Sequence, residues 1–197
     1  SEPSAPEMES GLEFGFNPDQ KFGIEFSKEY KIDCIDTKRN GFYQRVNKSN
    51  NNKIILKGNL IDGVLNGYGE LYYQNGNLKY KGEFKNGGMD GQGKMYRENG
   101  QLQSEGEFKN NKLNGQGRWY NEKGKLKYEG EFKDDDLNGQ GKTYYENGQS
   151  QLEGEFKNDK LNGQGKMYRE NGQLQYEGKF KDNMLNGQGK TYHDNAQ

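Results

Sequence analysis

Apolar side chains are sparse in this chain, but from residue 58 onward they fall in fixed places every 24 residues. Each block carries two short stretches in which apolar and polar positions alternate. Examples are Gln-Leu-Gln-Tyr-Glu-Gly-Lys-Phe-Lys at 173–181 and Gln-Gly-Lys-Met-Tyr-Arg at 164–169. A period of two marks a strand with one covered face and one solvated face. No block carries the period of a helix. Asn-Gly pairs separate the stretches at Asn75-Gly76, Asn99-Gly100, Asn147-Gly148 and Asn171-Gly172, with Lys123-Gly124 as a weaker version. Asn-Gly between alternating strands predicts a two-residue type I′ turn, which needs positive φ at both central residues. The pattern therefore predicts an all-β fold: a single-layer, elongated, twisted antiparallel meander of stacked β-hairpin repeats. Twelve strands at ~4.8 Å spacing would make the array from residue 58 roughly 55–60 Å wide.

Glycine keeps the same beat. Gly58, Gly82, Gly106, Gly130, Gly154 and Gly178 form one column, Gly67 to Gly187 a second, and Gly69 to Gly189 a third. A tyrosine column runs Tyr72, Tyr96, Tyr120, Tyr144, Tyr168, Tyr192. A fixed period of this size signals a stacked array, in which one unit cannot bury its apolar face alone.

Residues 58–197 make a six-copy array of the 24-residue repeat. Residues 1–10 are small and polar, and read as a disordered leader or an expression remnant. Residues 11–57 read as an N-terminal β cap. Leu12, Phe14, Phe16, Phe22, Ile24 and Phe26 suggest a hairpin around Asn17-Pro18-Asp19-Gln20. A degenerate repeat follows from Tyr30, with Ile32 and Cys34 in place of the glycine and phenylalanine, and Asn40-Gly41 aligned with Asn186-Gly187. At the other end, Ala196 stands where other blocks have the turn glycine. The strand around Gly187–Tyr192 is therefore expected to be an open edge, through which two chains associate end to end or the array continues.

The charges choose a register. A two-residue turn at Asn-Gly places Lys94 opposite Glu105, whereas a three-residue turn with a glycine bulge puts them on opposite faces. The first choice pairs Glu70–Lys81, Lys94–Glu105, Arg118–Glu129, Lys142–Glu153 and Lys166–Glu177, all opposite in sign, which favours it. The same parity in the other loop links these pairs into one row, with only the Lys81–Lys94 step unfavourable. Such a row reads as a solvated face. The register also makes a row of glycine, from Gly58 to Gly189, flanked by Phe84, Phe108, Phe132, Phe156 and Phe180 and by Tyr80, Tyr128 and Tyr176. Either the rings fold down over bare backbone and seal the sheet, or the row is a shallow channel for a partner backbone.

Composition alone points toward disorder, with 28% hydrophobic residues and a mean hydropathy of -1.38. The periodicity overrides this, because 14 tyrosines and 10 phenylalanines bury much area per residue. Net charge is -1, from 29 basic and 30 acidic side chains. No basic block tracks a phosphate backbone, which argues against nucleic acid. No polybasic or long apolar run marks a membrane partner. The single Cys34 rules out an internal disulfide framework.

No catalytic set emerges. His193 is the only histidine, so neither a His-based metal cluster nor a conventional triad can form. Asp134-Asp135-Asp136 reads as a solvated turn, and no cofactor or metal is expected. The positions that vary between blocks are free to encode specificity. One column reads Leu71, Met95, Trp119, Thr143, Met167, Thr191; another reads Tyr73, Arg97, Asn121, Tyr145, Arg169, His193. Trp and Arg are common interface anchors. Trp119, Met95, Arg97, Met167 and Arg169, with the rings of Tyr128, Phe108 and Phe132, are the candidate partner-binding residues.

The motif Tyr128-Glu129-Gly130-Glu131-Phe132 with Gly139-Gln140-Gly141 resembles the MORN repeat (membrane occupation and recognition nexus). The resemblance covers residues 58–197 fully and 30–57 loosely. The 24-residue spacing and the Tyr-x-Glu-Asn-Gly turn are similar to a bacterial variant class that includes antitoxins. The resemblance implies an elongated sheet of hairpins that binds other proteins, in some members a link to membranes or cytoskeleton, and no catalysis. The leading expectation is a non-enzymatic scaffold that holds a partner peptide or helix along a glycine and aromatic face. An antitoxin that neutralises one cognate toxin is the alternative, and a peripheral membrane module a third.

Overall fold

The computed structural model describes residues 41–47, 53–62 and 64–193. The leader, the hairpin expected over 12–26 and most of the degenerate repeat lie outside the described residues. Thirteen strands follow one another: β1 (Gly41–Asn47), β2 (Lys53–Ile61), β3 (Val64–Tyr72), β4 (Leu78–Lys85), β5 (Gly88–Tyr96), β6 (Leu102–Lys109) and β7 (Lys112–Tyr120). The remainder are β8 (Leu126–Lys133), β9 (Asp136–Tyr144), β10 (Ser150–Lys157), β11 (Lys160–Tyr168), β12 (Leu174–Lys181) and β13 (Met184–Thr191). They form one antiparallel sheet in which spatial order equals chain order. The all-β meander read from the period is the fold observed.

The turns differ from expectation, and the difference is informative. At Asn99-Gly100 only the glycine takes positive φ (86°). Gly100 N–H donates to the Arg97 carbonyl (2.8 Å), and Arg97 N–H donates to the Gln101 carbonyl (2.8 Å). This is a three-residue loop closed by a glycine, not a type I′ turn. Asn99 Oδ1 accepts the Gln101 N–H (3.0 Å), a local bond that asparagine makes two residues ahead and that holds Asn99 out of the left-handed region.

The odd loop does not spoil the parity. Tyr96 pairs with Leu102 and Met95 with Ser104, so Gln103 is bulged out. One extra residue in the loop and one in the strand restore the even count. Lys94 therefore does face Glu105, and the whole charge row stands as read, including Lys81 opposite Lys94.

True type I′ turns sit at the other end of the strands. Asn110 and Asn111 have φ of 51° and 69°, Asp134 and Asp135 of 53° and 76°, Asn158 and Asp159 of 49° and 62°. Their second residues reach back across the repeat. Asp135 Oδ1 accepts the Leu113 N–H, Asp159 Oδ1 that of Leu137, and Asn183 Oδ1 that of Leu161, each at 2.7 Å. Asp135 is thus a half-buried clasp and not a solvated residue, because its carboxylate satisfies a backbone donor that the bulged strand leaves over.

The core is one face of the sheet. Leu65, Leu113, Leu137 and Leu161 are 0% exposed, and Phe84, Phe108, Phe132, Phe156 and Phe180 pack among them. Tyr80 meets Phe84 and Phe108 edge-on with ring centres 5.2 Å apart, a favoured geometry.

The glycine row has a cause other than the one expected. A Cβ on Gly130 would stand 2.5 Å from the Gly141 Cα and closer still to the Gln140 carbonyl oxygen. The paired glycines let two backbones approach each other. Their outer surface is filled by leucine in mid-array, with Leu113 beside Gly117, Leu137 beside Gly141 and Leu161 beside Gly165. Rings cover the row only toward the ends, where Tyr80 lies on Gly93 and Tyr176 on Gly189. Gly58, Gly69 and Gly82 are buried, Gly93 to Gly178 are half-buried and Gly189 is exposed, so close strand approach accounts for the row without calling on a channel.

Candidate protein-binding face

The two faces of the sheet divide charge from apolar surface. On the charged face Glu70 is shared by Lys57 (3.6 Å) and Lys81 (3.4 Å), and Glu105 by Lys94 (2.9 Å) and Arg118 (3.8 Å). Arg118–Glu129 (3.0 Å), Lys142–Glu153 (3.5 Å) and Lys166–Glu177 (3.9 Å) continue the ladder. The facing lysines 81 and 94 each turn to a glutamate on their other side.

The tyrosine column belongs to this ladder. Tyr120 donates to Glu105 (2.7 Å), Tyr144 to Glu129 (2.8 Å) and Tyr168 to Glu153 (3.2 Å). Burial, with the glutamate adding to it, pushes the Tyr120 and Tyr144 hydroxyls up to about 12. In return the Tyr144 bond, and the Arg118 charge after it, hold the Glu129 carboxyl below the usual range. Lys94 does the same for Glu105, with Tyr120 second. For Tyr72 and Tyr96 the corresponding positions are Lys57 and Lys81, which precede the like-charge step at Lys81–Lys94, and Tyr72 donates to Glu70 instead.

The opposite face carries a continuous cross-strand row. Leu71 faces Tyr80, Tyr80 faces Met95, Met95 faces Ser104, and Ser104 faces Trp119. Trp119 faces Tyr128, Tyr128 faces Thr143, Thr143 faces Leu152, Leu152 faces Met167, and Met167 faces Tyr176. Leu71, Met95, Trp119, Tyr128, Leu152 and Met167 are only partly buried and pack on the core from outside.

Four of the residues singled out by sequence, Met95, Trp119, Tyr128 and Met167, therefore share one surface. Phe108 and Phe132 do not present themselves there; each is 3% exposed and supports the row from beneath. Arg97 and Arg169 are engaged between repeats. Arg97 Nη2 donates to the Tyr120 carbonyl (2.6 Å) and Arg169 Nη2 to the Tyr192 carbonyl (3.0 Å). Tyr73 and Tyr145 send their hydroxyls to the Tyr96 and Tyr168 carbonyls, both at 2.8 Å. Four members of the second variable column therefore tie neighbouring repeats together: arginine and tyrosine differ in charge but place a donor on the equivalent carbonyl. Asn121 is too short and donates to Glu146 Oε1 instead (2.8 Å).

Sequence reasoning missed a hollow of about 270 Å³ on the apolar face, where Tyr128, Thr143, Leu152 and Met167 meet and Lys127 and Tyr145 form part of the rim. Its signal was two small residues in adjacent columns: Thr143 where Met95, Trp119 and Met167 stand, and Leu152 where Tyr80, Tyr128 and Tyr176 stand. Among the described residues no group of three or more His, Cys, Asp or Glu is placed to hold a metal ion.

A family model described as "MORN repeat variant" matches residues 65–86, 89–110 and 113–134. A second, described as "MORN repeat", matches residues 128–150, 153–174 and 176–195. Comparison with curated proteins finds no match. The first model is in phase with the strands that open at Val64, Gly88 and Lys112, and the second with those that open at Leu126, Ser150 and Leu174. Both read the same hairpin period in two frames. MORN repeats are non-enzymatic modules that bind proteins or membranes. With the two models together covering most of residues 65–195 and the sheet showing one hairpin per repeat, the chain belongs to the MORN-repeat family.

Proposed function

We propose that this protein is a non-enzymatic scaffold that binds a partner protein along the apolar face of its sheet. The observation that carries the reading is the row Leu71, Met95, Trp119, Tyr128, Leu152 and Met167, half-buried side chains aligned across nine strands from β3 to β11. A row of large apolar groups left partly open on a chain this polar is the kind of patch that partners cover. Trp119 lies near its middle and is the only tryptophan. The charged face supports the reading by contrast, since the ladder cations Lys57, Lys81, Lys94, Arg118, Lys142 and Lys166 each pair with a glutamate across the strands, which also weakens the membrane alternative. The test uses Trp119 as a reporter. Its emission should shift to the blue on titration with a purified partner, and Trp119→Ala should weaken the complex. A tight complex that leaves emission and affinity unchanged would remove the proposal.

A further inference from the structure

The apolar row is not uniform. At Ser104 the tyrosine of neighbouring repeats is also lost, yet the surroundings close over it and it is 1% exposed. At Thr143 and Leu152 two adjacent columns shrink together; Thr143 is buried at 5% exposure and floors a hollow of about 270 Å³ beside the half-buried Leu152. That volume lies just under the range of pockets for drug-sized ligands, roughly 300–1,000 Å³. It suits one large side chain.

Its polar surroundings are asymmetric. Asp159 stands at the end near the type I′ turns, with Oδ1 engaged by the Leu137 N–H (2.7 Å). Tyr145 spends its hydroxyl on the Tyr168 carbonyl (2.8 Å). At the other end Lys127 Nζ lies 4.9 Å from the Tyr128 ring centre, and among the described residues no carboxylate pairs with it. The nearby Lys123 and Lys125 are held by Glu146, through its carboxylate (3.3 Å) and its carbonyl (2.6 Å).

We propose that the hollow over Thr143 and Leu152 takes one aromatic side chain of the partner, and that a carboxylate on the same partner segment meets Lys127. This rests on the scaffold reading and makes it more specific. An aromatic group gains most from a site walled by Tyr128, Leu152 and Met167, where edge and face contacts add to apolar burial. The charge of Lys127 decides which neighbours that side chain carries.

The protein itself supplies the variants. Thr143→Trp places in the hollow the side chain that Trp119 already places in the same column. Leu152→Tyr restores the residue present at Tyr128 and Tyr176. Circular dichroism and an unchanged unfolding midpoint would show that at least one variant folds. The probe is a display library of short random peptides selected on the full chain. Selected peptides should be enriched in an aromatic residue with Asp or Glu close by. They should bind the filled variant at least about tenfold more weakly, as for loss of an anchor residue, and Lys127→Glu should weaken the acidic ones. Peptides that are sensitive to Trp119→Ala but indifferent to the filled hollow would overturn this inference and leave the scaffold reading standing. Peptides indifferent to both, or no enrichment at all, would overturn both.

Discussion

Arg97 reaches out of its own repeat and donates a hydrogen bond of 2.6 Å to the backbone carbonyl of Tyr120 in the next. Tyr73 makes the same bond to Tyr96, as Tyr145 does to Tyr168. The consequence is an exchange rule. Arg97→Ala should cost about 1–3 kcal/mol, because it strands a part-buried acceptor. Arg97→Tyr should recover most of that loss. Urea titration of the three proteins checks it, and equal stability for the alanine and tyrosine variants would show that the bond contributes nothing.

Gly130 and Gly124 both have positive φ, at 141° and 74°, but a Cβ meets the opposite backbone only at Gly130. Gly130→Ala should cost about 2–4 kcal/mol, combining backbone strain with overpacking. Gly124→Ala should cost about 1–2 kcal/mol, strain alone. Similar unfolding midpoints for the two would mean that close approach of the paired strands does not explain the glycine row.

The Asp135 clasp makes a prediction about pH. Burial pushes its carboxyl above the usual range, with the Leu113 N–H bond opposing. A carboxyl raised on folding binds its proton more tightly in the native state, so its ionisation costs stability as pH rises past the unfolded value of about 3.9. Glu105 and Glu129 have the opposite sign: their lowered carboxyls add stability that is lost as pH falls through the folded value. Asp135→Asn keeps the clasp, as Asn183 does for Leu161, without the ionisable group. The variant should be more stable than the parent at neutral pH, and the gain should fade under acid conditions. A gain independent of pH, or a loss at neutral pH, would contradict this account.

The paired cations of the ladder and the net charge of -1 predict weak attraction to lipid. Vesicles with anionic headgroups at physiological salt should float without the protein. Co-flotation that disappears at high salt would show that the ladder is available to a membrane after all.

Much of the fold was legible because a repeat displays the same position many times. Opposite charges at Lys94 and Glu105, Arg118 and Glu129, and Lys142 and Glu153 fixed the parity of the sheet. The turn chemistry was not legible. Asn99 can serve a type I′ turn or bond to its own backbone, and that choice depends on a bulge at Gln103 that leaves no mark in composition. The apolar row of the candidate face was legible in part. Met95, Trp119, Tyr128 and Met167 needed only the register to join into one row. Arg97 looked free because it varies, but arginine and tyrosine are equivalent for the one task of reaching a carbonyl. The hollow at Thr143 and Leu152 depends on two small residues becoming neighbours across strands, which is visible only once the strands are paired.

Positions 118 and 119 are adjacent in β7 and point to opposite faces, Arg118 to Glu129 and Trp119 into the apolar row. A photoreactive phenylalanine analogue at each position, in the full chain and in native extract, compares the two faces most directly. The account predicts a partner cross-link from position 119 that unlabelled protein competes away, and none from position 118. Cross-linking from position 118 alone would contradict it.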